Sequence, residues 1–147
     1  MELWLPDEEA TGRLGETLAG RLRRGDALCL SGGLGAGKTT LARALIRALT
    51  RPDEEVPSPT FTLVQTYEGR GFPLAHFDLY RLRSAAEARE LGLDEALDVG
   101  AALIEWPERL GNDLPPNRLD IELSIQAEGR RALATPHGSW TGREVEH

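Results

Sequence analysis

Between the apolar run at residues 27–30 and a helix-forming segment that opens at Lys38, the chain reads Gly32-Gly33-Leu34-Gly35-Ala36-Gly37-Lys38-Thr39. Glycine at this density costs backbone entropy and gives a core nothing to pack, so a fold tolerates it only where bare backbone is needed. The spacing satisfies G-x-x-x-x-G-K-[ST]. A loop that wraps a polyphosphate must turn successive N–H groups inward, through angles and at a closeness that glycine permits cheaply. The following helix aims its unpaired N–H groups and the positive end of its dipole at the same anion. Lys38 has the reach for β- and γ-phosphates, and the Thr39 hydroxyl is placed to ligate Mg²⁺. The stretch follows a buried strand and meets no helix breaker until Pro52, the strand–turn–helix context that the pattern requires.

The flanking segments read as an alternation of helices and strands. Residues 2–5 suit a short edge strand. Asp7 is the expected N-cap of a helix with acids in its first turn and Ala10, Leu14, Leu18 and Leu22 four apart, stopped at Gly25. Residues 26–31 form a strand apolar enough for burial on both faces. A second helix spans about 38–49, and the proline-rich stretch 51–61 is a loop. Residues 62–80 read as a hairpin turning at "EGRG". Residues 84–97 read as one helix with a Ser84/Glu87 capping box. Another buried strand follows at 100–106, then a loop. A second hairpin, "RLDIELSIQ" and "RRALAT", is expected at the sheet margin, and 136–147 reads as a loose tail. The expected architecture is a single three-layer αβα domain over residues 1–135, with a mixed, mainly parallel sheet and antiparallel hairpins toward its edge.

Composition narrows the functions available. At 147 residues, 40% hydrophobic and 28% charged, the chain reads as one soluble globular domain. No stretch reaches bilayer-spanning length, and the N-terminus lacks a basic start followed by an apolar core, so a cytoplasmic location is expected. One cysteine, Cys29, excludes an internal disulfide and, in a buried strand, acts as a small apolar side chain. Three scattered histidines give no zinc-type cluster. A net charge of −7 disfavours direct nucleic-acid binding, so phosphate recognition must be local.

Chemistry at a phosphate needs an acid near Mg²⁺ at another strand end. Asp78 closes the alternating strand "FPLAHF" and Glu105 ends "AALIE"; either could reach a crevice at the carboxyl ends of the strands, or simply cap a strand or pair with an arginine such as Arg81 or Arg109. Thr60, in the loop after the second helix, stands where nucleotide switches sense a γ-phosphate, or is simply a turn threonine in a proline-rich loop. His76 and Tyr80 share a strand face with Asp78, and Tyr80 is expected to pack in the core. Trp106 is expected as a packing or interface aromatic.

Taken in order, "GGLGAGKTTLAR", "SPTFTLVQTYE", "HFDLYRL" and "IEWPERL" resemble the bacterial TsaE family, the ATPase of tRNA threonylcarbamoyladenosine biosynthesis. The resemblance covers residues 6–130, and "PDEEAT" and "EGR" add to it. It implies a P-loop fold, ATP with Mg²⁺, and partnership with TsaD and TsaB, which carry the threonylcarbamoyl transfer to an adenosine beside the anticodon of tRNAs reading codons that start with A. Hydrolysis, weak alone and activated by partners, would support or reset that complex, and tRNA would be met only through it. The resemblance places nucleotide against Gly33, Leu34, Gly35, Ala36, Gly37, Lys38, Thr39 and Thr40, with Glu8 and the Gly129 and Arg130 pair nearby. It makes residues 58–60, with Thr60, the first switch. It makes Lys38, Asp78 and Glu105 catalytic, and Thr39 and Glu105 the metal-supporting pair.

Three rivals remain open. A small-molecule kinase also joins such a loop to strand-end acids, but needs an acceptor pocket and usually an arginine-bearing lid. A guanine-nucleotide switch lacks a visible basis, since neither D-x-x-G nor N-K-x-D occurs. A non-catalytic, ATP-gated scaffold would use the same loop without the acids.

Overall fold

The computed structural model describes residues 1–33, 35–57 and 63–145. Seven strands form one sheet in the order β1-β7-β6-β2-β5-β4-β3: β1 (Glu2–Leu5), β2 (Ala27–Gly32), β3 (Val64–Glu68), β4 (Pro73–Asp78), β5 (Ala101–Glu105), β6 (Arg118–Gln126) and β7 (Gly129–His137). Its centre is parallel, with β2 between β5 and β6 and β4 beside β5. Both margins are antiparallel, β3 on β4 at one side and β6–β7–β1 at the other.

Helices lie on both faces. Along β2 the alternation of side chains sends Leu28 and Leu30 into one core, with Leu14 and Leu18 of α1 (Glu8–Arg21) and Leu41 and Leu45 of α2 (Lys38–Leu49). Ala27 and Cys29 enter the other core, with Phe77, Ile104 and residues of α3 (Ala85–Glu90) and α4 (Leu93–Val99). The three-layer arrangement and the mixed sheet are those the sequence predicts. Burial of Cys29 pushes its thiol up to about 12, so it is an inert filler of the second core.

Three local expectations need correcting. The helix expected over 84–97 is two, because Gly92 adopts φ +90°, a left-handed value that ends α3 and starts α4. The capping box is not closed: the Ser84 side chain makes no capping bond, and Glu87 Oε1 accepts instead from the Arg83 N–H at 2.9 Å. The β6–β7 hairpin does lie toward the sheet edge as expected, with β6 pairing parallel to β2 and β1 added outside β7. Finally, the described part of the expected loose tail is packed. After β7 a short 3₁₀ turn, Gly138–Trp140, buries Trp140 completely. Beside it Arg143 and the Ser139 hydroxyl both donate to the buried Asp26 carboxylate, at 2.6 and 2.8 Å. A second short 3₁₀ stretch, Pro107–Asp113, occupies the loop after β5.

Candidate functional site

The crevice opens at the carboxyl ends of β2, β4 and β5. The glycine-rich turn leaves β2 at Gly32 and enters α2 through Gly37, whose φ of +107° lies in the left-handed region; a side chain there would add strain. No side chain caps α2 and its first turn contains no acid. Its N–H groups and positive dipole end are therefore left for an external anion.

Below the turn lies a cavity of ≈ 460 Å³. Its walls come from Gly33, Gly35, Gly37, Lys38, Thr39, Thr40 and Arg43, from Val56 and Pro57, and from His76, Asp78, Tyr80, Glu105 and Trp106. The sequence motif and the two strand-end acids thus converge on one space. Ala36 does not line it: its side chain is core and its N–H donates to the Gly33 carbonyl at 3.2 Å. Leu34 and Thr60 lie outside the described residues.

Asp78 and Glu105 meet because β4 and β5 run parallel in register, each acid opposite the other at its strand end. Both are 9% exposed. The Asp78 carboxylate accepts the Tyr80 N–H at 3.1 Å, fixing the turn out of β4. Glu105 Oε2 lies 2.7 Å from His76 Nε2. This partner escaped the sequence reading. The only available signal was that His76 and Asp78, two apart on one strand, must share a face.

Lys38 is buried, with Nζ 3.9 Å from the centroid of the Trp106 ring. Trp106 has φ +61°, an uncommon value for a residue with a side chain, and is thereby turned back over the lysine. Tyr80 is not in the core as expected. It lies two residues past the end of β4, is 50% exposed, and stands 4.9 Å from the Trp106 ring. The Lys38 ammonium thus rests against an aromatic face, an attractive contact for a cation, in the wall of the cavity.

A second cavity of ≈ 320 Å³ lies on the other side of the turn and holds Glu8 and Gly129 together with Gly35, Gly37 and Thr40. Glu8 Oε1 accepts from the Thr40 hydroxyl at 3.3 Å, tying the first turn of α1 to that of α2. Glycine at 129 has a packing reason, since a Cβ there would come within 2.7 Å of the Leu5 carbonyl and 2.9 Å of the Trp4 ring. Its neighbour Arg130 donates from Nε to the Gly35 carbonyl at 3.2 Å, so β7 steadies the glycine turn.

Chemically, the first cavity joins a cation and an open helix end to two carboxylates and the Thr39 hydroxyl. Among the described residues no three of His, Cys, Asp or Glu gather as a metal site. That donor set suits a hard cation such as Mg²⁺, which takes one or two carboxylates and completes its shell with phosphate and water. No helix among the described residues is long and apolar enough to cross a membrane.

Comparison with known proteins agrees with this geometry. Residues 5–133 match the sequence model of the family described as threonylcarbamoyl adenosine biosynthesis protein TsaE. A tRNA threonylcarbamoyladenosine biosynthesis protein TsaE of Rickettsia felis is 41% identical over 88% of this chain and 75% of its own. One of Synechocystis is 43% identical over 75% and 72%. The crystal structure of YdiB from Bacillus subtilis superposes with a TM-score of 0.77 at 30% identity, covering 94% of this chain and 86% of that one. On these matches the chain belongs to the TsaE family and so to tRNA threonylcarbamoyladenosine biosynthesis.

Proposed function

We propose that the protein is a Mg²⁺-dependent ATPase that serves the tRNA-modifying machinery of its family by supporting or resetting a TsaB–TsaD complex. One observation carries the reading: an uncapped helix start, Lys38 and two in-register carboxylates face a single cavity. The backbone of the glycine turn binds the phosphates. Lys38 leaves the Trp106 face to reach them and stabilises charge that develops on the transferred phosphoryl group. Thr39 and Glu105 would hold Mg²⁺, which when bound neutralises phosphate charge and fixes the phosphate oxygens. Asp78, held by the Tyr80 N–H, would help fix the metal site, and Glu105 would orient the attacking water. Glu8 and the second cavity take the nucleoside end.

ATP hydrolysis measured for the chain alone, then with TsaB and TsaD, tests this reading. Slow turnover that rises strongly with both partners is the expected result. Phosphate transferred to a metabolite would make the protein a kinase instead. The isolated chain, with its net charge of −7, is expected not to retain tRNA in filter binding at moderate salt.

A further inference from the structure

The pairing of His76 with Glu105 is short, buried and one-sided. His76 is 3% exposed, and its Nε2 sits 2.7 Å from Glu105 Oε2. Its other ring nitrogen, Nδ1, is buried with no hydrogen-bond partner among the described residues. A carboxylate only accepts, so a proton must sit on Nε2 for this contact to be a hydrogen bond. The ring therefore spends its directional bonding on one atom of one side chain. The position follows from the sheet: His76 lies on the strand face of Asp78, Asp78 is in register with Glu105, and the ring reaches diagonally to the next strand.

We propose that His76 is a positioning residue for Glu105, its Nε2–H holding Oε2 so that Oε1 is presented to the cation or to the attacking water. A glutamate at a strand end has three rotatable side-chain bonds. Unrestrained, it would sample poses that miss the reacting centre, and a misplacement near 1 Å is costly in rate. Groups that orient metal-supporting carboxylates and histidines act in this way elsewhere, and their loss typically costs 10–100-fold in affinity or activity. His76 touches neither nucleotide nor reacting water in this scheme; it acts through Glu105. The inference rests on the ATPase reading above.

Three variants and one spectrum test it. His76→Leu removes the donor and keeps the bulk. His76→Asn carries an amide too short to replace Nε2, and His76→Gln places an amide nitrogen near the same point. In single-turnover ATP hydrolysis, the Leu and Asn variants are expected to lose about 10–100-fold in rate with nucleotide affinity nearly unchanged, and the Gln variant to recover most of the loss. If the Leu variant does not fold, the Asn and Gln pair carries the same contrast. Independently of activity, ¹⁵N-histidine NMR of the nucleotide-free chain should show a slowly exchanging proton on the His76 Nε2. A Gln variant as slow as Asn, an Asn variant at full rate, or an unprotonated or freely exchanging Nε2 would overturn the inference while the unaltered chain still hydrolyses ATP. No hydrolysis by the unaltered chain, with or without partners, would sink the ATPase reading and this inference with it.

Discussion

Helices α1 and α2 begin beside the same glycine-rich turn, yet their first turns are finished in opposite ways. At α1, Asp7 is extended and its Oδ1 accepts the Ala10 N–H at 2.8 Å, with Glu8 and Glu9 following in the first turn. Those are the features that stabilise a helix start. At α2, Gly37 is left-handed, no side chain caps the helix, and no acid sits in the first turn. One start is sealed by its own sequence; the other is left open, and the stability forgone there is what a phosphate can supply. A hydrogen bond from the Thr40 hydroxyl to Glu8 joins the two starts.

The largest break in that contrast is Lys38→Ala, which leaves α2 open but removes the charge beside it. ATP turnover with partners should fall by about 100–1,000-fold, the scale of a lost transition-state donor, with an unchanged circular dichroism spectrum. Activity within tenfold of the unaltered chain would deny Lys38 its role. Gly37→Ala comes next, since a side chain at φ +107° costs about 1–2 kcal/mol. A melting temperature lower by several degrees and weaker ATP binding are expected in thermal scans with and without nucleotide.

Asp7→Ala attacks the sealed end instead. Loss of an N-cap costs about 1 kcal/mol, a drop of roughly 4 °C for a chain of this size, while ATP affinity should move by no more than a few-fold in equilibrium titration. A larger loss of affinity than Gly37→Ala causes would erase the distinction between the two ends. The smallest expected effect has the opposite sign. Thr39→Glu gives α2 the acid it lacks and should stabilise the nucleotide-free protein by about 0.3–1 kcal/mol. The rise in melting temperature on adding ATP and Mg²⁺ should vanish in the same variant.

What could be read in advance follows the range of the interactions involved. The starts of α1 and α2, the apolar character of β2 and β5, and both hairpins rest on neighbours a few residues apart, and the sequence displays those directly. Gly92 was visible, but a lone glycine in a helical pattern does not announce a left-handed break. The place of β6 beside β2 depends on which strands find each other across the chain, and no local pattern encodes it. The packing of Trp140 against the body of the domain, with Arg143 and Ser139 on Asp26, depends on partners more than a hundred residues away. In the site, each acid was legible because it ended a strand. The His76–Glu105 contact was not, because it exists only once β4 and β5 are side by side.

The position of β2 has a kinetic consequence. Ala27 pairs with Ala102 on one side and Arg118 on the other, so the strand that launches the glycine-rich turn has no near neighbour in the chain. Long-range parallel pairings form slowly, after their loop-closure entropy has been met. A polypeptide emerging from the ribosome holds the whole motif early, but cannot brace it until β6 has been synthesised and docked. Under the ATPase reading proposed above, nucleotide would act on this late step, by stabilising chains in which β2 is already paired on both sides.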